Sequence, residues 1–460
     1  MRYFEEPAKQ IPVFGEYDVV VAGGGPAGIG AAIAAARTGA KTIVIEQMGC
    51  LGGISTAGLH PQMQVIQYEE GNVSSIPVEI GIRAEKLDIG MRGYRYGKGC
   101  FQYEIEAFKR LLDDMVLEAG CEILYQTLVS DTIVENDVVK GVIIQNKTGR
   151  SAVLAKRVVD CTADADVAAR GGVEFEQGRE QDGLVQPCTL MFRVDGVDVS
   201  AVESPENSGK IRLKDGMVKM DKSVWQYAID NGEMDPFQTK VMGFWVTHKR
   251  PTQISVNFTN LTGIDPTKTE DLTKVLIEGR KQAEVTLKIL NKYVPGFENA
   301  YMIDSALLPG TRESRRIKGE YTLTVDEVLG AKKFEDSIAK GSFFIDIHNP
   351  KGTGLYDPKH ENLNNQDLMR KLPPGEHYDI PYGCIVPQKV DNLLVAGRCI
   401  SVTHEALGST RVMMQCMSLG EAAGTAAALS IKEDVTPRKL DVQKLRKTML
   451  DNCVVDPKDI

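Results

Sequence analysis

Two short runs near the start carry residue types whose spacing points to chemistry: Tyr17 to Gly28, and Thr42 to Glu46. Val19 to Ala22 is apolar and long enough for a buried parallel strand. Gly23, Gly25 and Gly28 follow as G-x-G-x-x-G, with Pro26 and Ala27 inside the motif. An Ala-rich stretch, Ala31 to Ala36, reads as the next helix, and a second apolar strand ends on Glu46 with Gln47 beside it. Each piece has a task in holding a dinucleotide. Gly23 permits the tight turn, Gly25 lets the backbone approach a pyrophosphate, and Gly28 lets the helix pack close to the strand. The helix N-terminus offers free N–H groups and partial positive charge to the phosphates. Glu46 can accept hydrogen bonds from a ribose 2′,3′-diol. An acid there repels the 2′-phosphate of NADP, so FAD and NAD are the dinucleotides left in play.

A second set of residues could act on a substrate. Arg312-Glu-Ser-Arg-Arg316 puts three guanidiniums within about one helical turn on a helix or turn. Arg312 and Arg315 are the favoured pair for gripping a carboxylate or polarising a carbonyl. The competing reading is an interdomain ion network through Glu313 and Glu320. His404, followed by Glu405, could exchange protons near neutral pH. His60, Cys50 and His248 are weaker candidates: loop residues, or in the case of Cys50 a small residue in a tight turn. Met413, Met414, Cys416 and Met417 read as helix core.

The elements that must position these groups follow from pattern. Residues 48–60 form a Gly-rich loop. Residues 101–119 have apolar positions at helical spacing, with Gly120 as the stop. Glu122–Tyr125 reads as a third parallel strand. Three runs, Thr127–Glu135, Val138–Gln145 and Ala152–Val159, are separated by turn residues and predict a β-meander. Asp160 to Asp166 leads into a small helix. Beyond residue 180 the texture changes: Thr189–Val194 and Gln253–Phe258 read as strands, and Thr267–Tyr293 as a helix opened by a capping box, Thr267 with Glu270. Residues 349–380 read as a long loop. Asn392–Gly397 is again a buried strand ending in Gly, followed by an apolar helix from about Arg411 to Ser430. The nucleotide fold therefore resumes at the C-terminus.

Composition narrows the classes. The 460 residues suffice for two or three domains, and 42% of them are apolar. The net charge of −9 argues against nonspecific nucleic-acid binding. No apolar stretch reaches the roughly 20 residues of a membrane span. Met1-Arg-Tyr-Phe-Glu-Glu-Pro7 has no signal-peptide pattern, so the expected location is cytoplasmic. The nine cysteines include no C-x-x-C pair, which argues against zinc and iron–sulfur sites and fits reduced thiols.

Four separated segments together resemble the FAD-dependent oxidoreductases built on the glutathione-reductase-type FAD fold, in the branch topologically like fumarate reductase and succinate dehydrogenase flavoproteins. They are Asp18–Gly28 with Glu46, Cys50–Gly58, Val158–Asp166, and Asn392–Gly397 continuing to Gly424. Gln186-Pro-Cys-Thr-Leu-Met-Phe192 and Arg312–Arg316 add to the likeness.

The resemblance implies an α/β fold. A Rossmann-like FAD domain, with parallel sheet and β-meander, would span 1–180 and 375–460. An α+β substrate domain would be inserted at 181–374. The resemblance also implies FAD contacts at Gly23, Gly25, Pro26, Ala27, Gly28, Glu46, Gln47, Gly52, Gly53, Val129 (backbone to adenine), Cys161, Thr162, Ala163, Asp164, Gly397 and Arg398. The helix start at Arg411, Val412 and Met413 would face flavin N1 and C2=O. Some related flavoproteins bond a His in the region of His60 to the flavin, but the spacing departs here, so noncovalent FAD is expected. No second G-x-G-x-x-G and no redox cysteine pair follow, which argues against disulfide-reductase chemistry. The expected activity is hydride transfer between FAD and a small polar molecule such as a hydroxy acid, keto acid or sugar derivative. Arg312, Arg315 and His404 would act on it. Two alternatives stay open: a flavin-binding electron-transfer or sensor subunit serving a protein or quinone, and a thiazole-synthase-like, non-redox use of a dinucleotide. The sequence leaves oligomeric state open.

Overall fold

A computed structural model describes residues 4–63, 74–92, 101–207, 210–214, 217–237, 243–352, 354–355 and 370–455. Its larger sheet is mixed. Glu122–Leu124, Thr42–Ile45, Val13–Ala22 and Gly149–Asp160 lie side by side in parallel. Leu393–Val395 pairs in parallel with the end of Gly149–Asp160, and Val138–Asn146 runs antiparallel to its beginning. Leu128–Glu135 completes the meander. The expected α/β fold is present, with its parallel strands and meander joined in one sheet, and the C-terminal strand does rejoin it. The first strand begins at Val13, six residues before the apolar run Val19–Ala22.

Val19, Val20, Val21 and Ala22 are fully buried, as a strand covered on both faces must be. One cover is the helix Pro26–Arg37 packed on the C-terminal helix Met413–Lys432. Small residues make this approach close: a Cβ on Gly420 would sit 1.9 Å from the Ala27 carbonyl oxygen. Met414, Cys416 and Met417 are buried in this helix, and burial pushes the Cys416 thiol up to about 12. They pack as core.

Glu421 of the same helix is also buried. Its carboxylate accepts from Ser74 Oγ at 2.6 Å, Ser75 Oγ at 3.0 Å and the Ile76 amide at 3.0 Å, and both oxygens receive the Ser75 amide. It thereby caps the helix Ile76–Lys86 from another part of the chain. Glu421→Ala strands several buried donors and is expected to lower stability by about 3 kcal/mol. The urea midpoint measures it, and Glu421→Gln should lose less.

A second sheet is antiparallel throughout, in the order Ile211–Lys214, Met217–Met220, Gly243–Thr247, Arg250–Asn257, Phe192–Asp195, Tyr301–Ser305. The helix Thr269–Tyr293 covers one face, with Ala283, Ile289 and Leu290 buried in a cluster with Phe192, Phe244, Val256 and Phe258. The predicted capping box does not form. Lys268 occupies the N-cap position, and Thr267 Oγ1 donates to Asp265 instead, at 2.7 Å. The acid two residues upstream holds the Thr267 hydroxyl, and among the described residues no helix amide donates to it. The helix over 101–119 starts later than predicted, at Ile105, because Phe101–Tyr103 is a short strand. Of the loop expected over 349–380, residues 353 and 356–369 lie outside the described residues, and Tyr378–Pro381 is a strand paired with Ser337–Gly341. Among the described residues no helix is long and apolar enough to cross a membrane, and no group of His, Cys, Asp or Glu converges as metal ligands.

Candidate functional site

The Gly-rich turn after the first strand forms a cradle. Gly23 adopts φ +97°, and a Cβ there would sit 2.5 Å from the Cys161 carbonyl oxygen, so the two strand ends touch through backbone. Gly25 is extended, and a Cβ added to it meets nothing within 4 Å. That open side lies at the N-terminus of Pro26–Arg37, whose first amides have no intrahelical partner. Gly53 flanks it, and Gly397 sits against Ala27.

Glu46 is buried, with Oε2 accepting from the Gly24 amide and Oε1 from the Met48 amide, each at 2.7 Å. Burial raises its pKa against the pull of these amides. Each oxygen keeps a second lone-pair direction for a hydroxyl. Gln47 beside it is exposed. The open glycine, the helix N-terminus and the acid at the next strand end suit an extended dinucleotide. Such a ligand is what these groups could hold.

The turn after Gly149–Asp160 closes the cradle under strain. Ala163 and Ala165 adopt φ of +68° and +54°, conformations that cost non-glycine residues about 1 kcal/mol or more each. The buried Asp160 carboxylate stabilises the turn by accepting from the Thr162 amide and hydroxyl and the Ala168 amide. Cys161 and Cys399 lie here too, and burial holds both thiols well above their usual range. Cys50, half-buried, is raised for the same reason. Asp164 accepts from Ser314 and Arg398. Val129, in the meander, is buried, and its carbonyl accepts from Arg170 at 3.3 Å.

The arginine triplet is extended rather than helical. Arg315–Ile317 is a strand paired with Phe175–Gln177, so Arg315 and Arg316 point to opposite faces. Arg315 is engaged by the Asp164 carbonyl at 3.0 Å and Asp166 at 2.9 Å. Arg316 turns inward onto Glu313, the Val402 carbonyl and the Gly178 carbonyl. The network reading is therefore right for Arg316 with Glu313, whereas Glu320 pairs with Arg438.

Arg312 stands apart. Its Nη1 donates to the Pro187 carbonyl and Thr189 Oγ1, both at 2.7 Å. Burial, and then the like charge of Arg411, lowers its pKa to about 10. Arg411 immediately precedes the Val412 cap of Met413–Lys432 and donates from Nη2 to the Asp346 carbonyl at 2.8 Å. Asp346 also contacts His348 at 3.4 Å. Burial opposes ionisation of Asp346, but His348, Arg411 and Arg312 outweigh it and hold the carboxyl below its usual range. Gln186 Oε1 accepts from the His348 amide at 3.2 Å and from Arg411 at 3.4 Å.

Gln186 links this cluster to a second one. Its backbone N–H donates to Glu313 Oε2 at 3.2 Å, and His404 Nδ1 donates to Glu313 Oε1 at 2.8 Å. His404 opens a short helix, His404–Thr410, where the sequence had suggested only a connecting stretch. Glu313, fully buried, fixes the ring and its tautomer. His60 packs against Trp245 with ring centroids 4.7 Å apart and the rings tilted by 42°. His248 sits half-exposed in a turn between two strands of the second sheet.

Of the three proposed catalytic residues, the structure brings Arg312 and His404 to one linked cluster and ties Arg315 to the 164–166 turn. Gln186, Asp346, His348 and Arg411 complete the cluster. Asp346 and His348 were not legible in the sequence; their one local signal is an acid inside the apolar run Phe343–Ile347 and a histidine just after it.

Burial holds His60 and His348 neutral, each with a pKa of about 4; the positive charge of Arg312 adds to this in both. Below the ordinary imidazole pKa the unfolded chain takes up protons that these rings refuse. Stability therefore falls as pH drops from 6.5 toward 4. Thermal midpoints at pH 7.5 and 5.0 should show this loss, and His348→Gln should reduce it.

The family model for FAD-dependent oxidoreductases matches residues 18–449. A thiamine thiazole synthase of Aeropyrum pernix is 33% identical over 129 residues, 28% of this chain and 43% of that protein. Another, from Sulfolobus acidocaldarius, is 33% identical over 168 residues, 34% of this chain and 59% of that protein. The chain thus spans about half the length of these curated relatives. A geranylgeranyl bacteriochlorophyll reductase-like structure from Thermoplasma acidophilum aligns with 95% of this chain and 86% of its own, at 16% identity and TM-score 0.44. With a family match running almost from end to end, the chain belongs to the FAD-dependent oxidoreductase family.

Proposed function

We propose that this enzyme moves a hydride between noncovalently held FAD and a small polar organic molecule, a hydroxy acid, keto acid or sugar derivative, with His404 exchanging the accompanying proton. The observation that carries this reading is the buried His404–Glu313 pair, joined through Gln186 to Arg411 at the start of Met413–Lys432. FAD supplies a two-electron acceptor. In the oxidative direction FAD held here would be the acceptor for the hydride that the substrate C–H bond gives up. The alcohol proton passes to His404 Nε2, and a C=O bond forms. Glu313, accepting at Nδ1, steadies the imidazolium that results. Arg312 orients the substrate. The antiparallel sheet of 192–305 supplies the substrate-side wall, and the cradle at Gly25, Glu46 and Gly53 holds the adenosine and pyrophosphate.

The test is anaerobic bleaching of the FAD-loaded protein by a panel of hydroxy acids, sugars and their derivatives. Bleaching by one class, with one product carbonyl per flavin reduced, supports the reading. A flavin that no donor in the panel reduces favours an electron-transfer or sensor role toward a protein or quinone partner.

A second reading rests on the thiazole synthase matches, which cover about a third of this chain. On that reading the chain holds a dinucleotide as reactant. Mass spectrometry of the released ligand separates the two, since FAD and an NAD-derived ligand differ in mass and colour.

A further inference from the structure

Among the described residues, the cluster around Arg411 contains buried donors with nothing to bond. Gln186 is fully buried, yet its Nε2 has no hydrogen-bond partner. Arg411 Nε is likewise buried and unpartnered, although Nη2 of the same guanidinium is engaged. Leaving a buried donor unsatisfied costs about 1–3 kcal/mol, more for a charged group. Two such donors on adjoining side chains mark a place where an acceptor belongs.

The charges point the same way. Arg312 and Arg411 are cationic, Asp346 is anionic, and His60 and His348 are held neutral by burial. The neighbouring ions are paired: Glu313 with Arg316, Asp164 with Arg398, Asp166 with Arg315. Among the described residues one positive charge is left over in a buried setting, where it calls for a counter-ion. Arg312 is already oriented by Pro187 and Thr189, so presenting its fork to a ligand costs little further side-chain entropy.

We infer that the substrate is a monoanion whose carboxylate is held by Arg312, Arg411 and Gln186. Its two oxygens accept from Arg411 Nε, Gln186 Nε2 and the Arg312 fork, and its charge cancels the surplus. This narrows the proposed substrate to hydroxy or keto acids and excludes neutral sugars; it rests on the reading that this cluster is the substrate side of the enzyme.

The experiment titrates FAD-loaded protein with glycolate, pyruvate and benzoate, and with glycolamide and benzamide as neutral counterparts. Binding is read by calorimetry and by flavin difference spectra. At least one carboxylate should bind ten-fold or more tighter than its amide. Gln186→Glu keeps the Oε1 acceptor but replaces the donor with negative charge, and should weaken that carboxylate at least ten-fold. Arg312→Lys, which keeps charge but loses the fork, should weaken it too. Equal binding of acids and amides, or an unchanged affinity in Gln186→Glu, overturns the inference. So does a holoprotein that binds no carboxylate while Arg312→Lys weakens FAD itself, because the donors then serve the flavin. If a carboxylate binds as expected but none bleaches the flavin, the anion site stands and the hydride-transfer reading fails.

Discussion

Replacing Gly25 with valine is expected to abolish FAD retention and leave the fold intact. The backbone there, φ −70° and ψ −172°, suits valine, and an added Cβ meets no atom within 4 Å. The new side chain instead fills the open side of the cradle, against the free amides of Pro26–Arg37, where a pyrophosphate needs close approach. Affinity for FAD should fall at least 100-fold, about 2.8 kcal/mol. Flavin-to-protein ratio after gel filtration measures this, and the far-ultraviolet dichroism should match that of the parent protein. Gly28→Ala is the contrasting case. Its Cβ would lie 1.8 Å from the Gly23 carbonyl oxygen, so the substitution damages the turn itself and lowers stability along with FAD content.

Removing His404 should separate chemistry from binding. The ring is nearly fully buried and held by Glu313, and the proposed reaction asks it to take one proton per hydride moved. His404→Ala is expected to slow substrate-driven flavin reduction by roughly 10²–10⁴-fold, the usual contribution of a general acid or base. FAD content should be unchanged, because no cradle contact is lost. Glu313→Gln should slow reduction less, since an amide can still accept from Nδ1 but no longer balances the imidazolium. Stopped-flow bleaching measures both. A His404→Ala enzyme that keeps more than half the parent rate contradicts the proton-exchange role.

The nucleotide half of the fold is legible because its signals are local. Strand, turn, helix, strand and acid follow one another within Tyr17–Glu46, and each is set by short-range chemistry of glycine, alanine and β-branched residues. The meander is legible for the same reason, through its Asn136-Asp137 and Thr148-Gly149 turns, where Asn136, Asp137 and Gly149 all adopt positive φ. The substrate side is not local. Gln186, Arg312, Asp346 and Arg411 come from four separated segments, and their meeting depends on contacts between stretches far apart in the chain. The spacing of Arg312, Arg315 and Arg316 fits a helix as well as a strand, and strand pairing with Phe175–Gln177 decided it. Once extended, the three arginines diverge: Arg312 to Pro187 and Thr189, Arg315 to Asp166, Arg316 to Glu313. Thr267 failed as a cap for a smaller reason of the same kind, an acceptor two residues away that no helix template includes.

The visible spectrum of the purified protein, before and after acid precipitation, tests the central claim most directly. Flavin bands that move into the supernatant, with a released ligand of FAD mass, are the result expected of a noncovalent FAD enzyme. A protein that shows no flavin bands even after incubation with FAD would contradict the account.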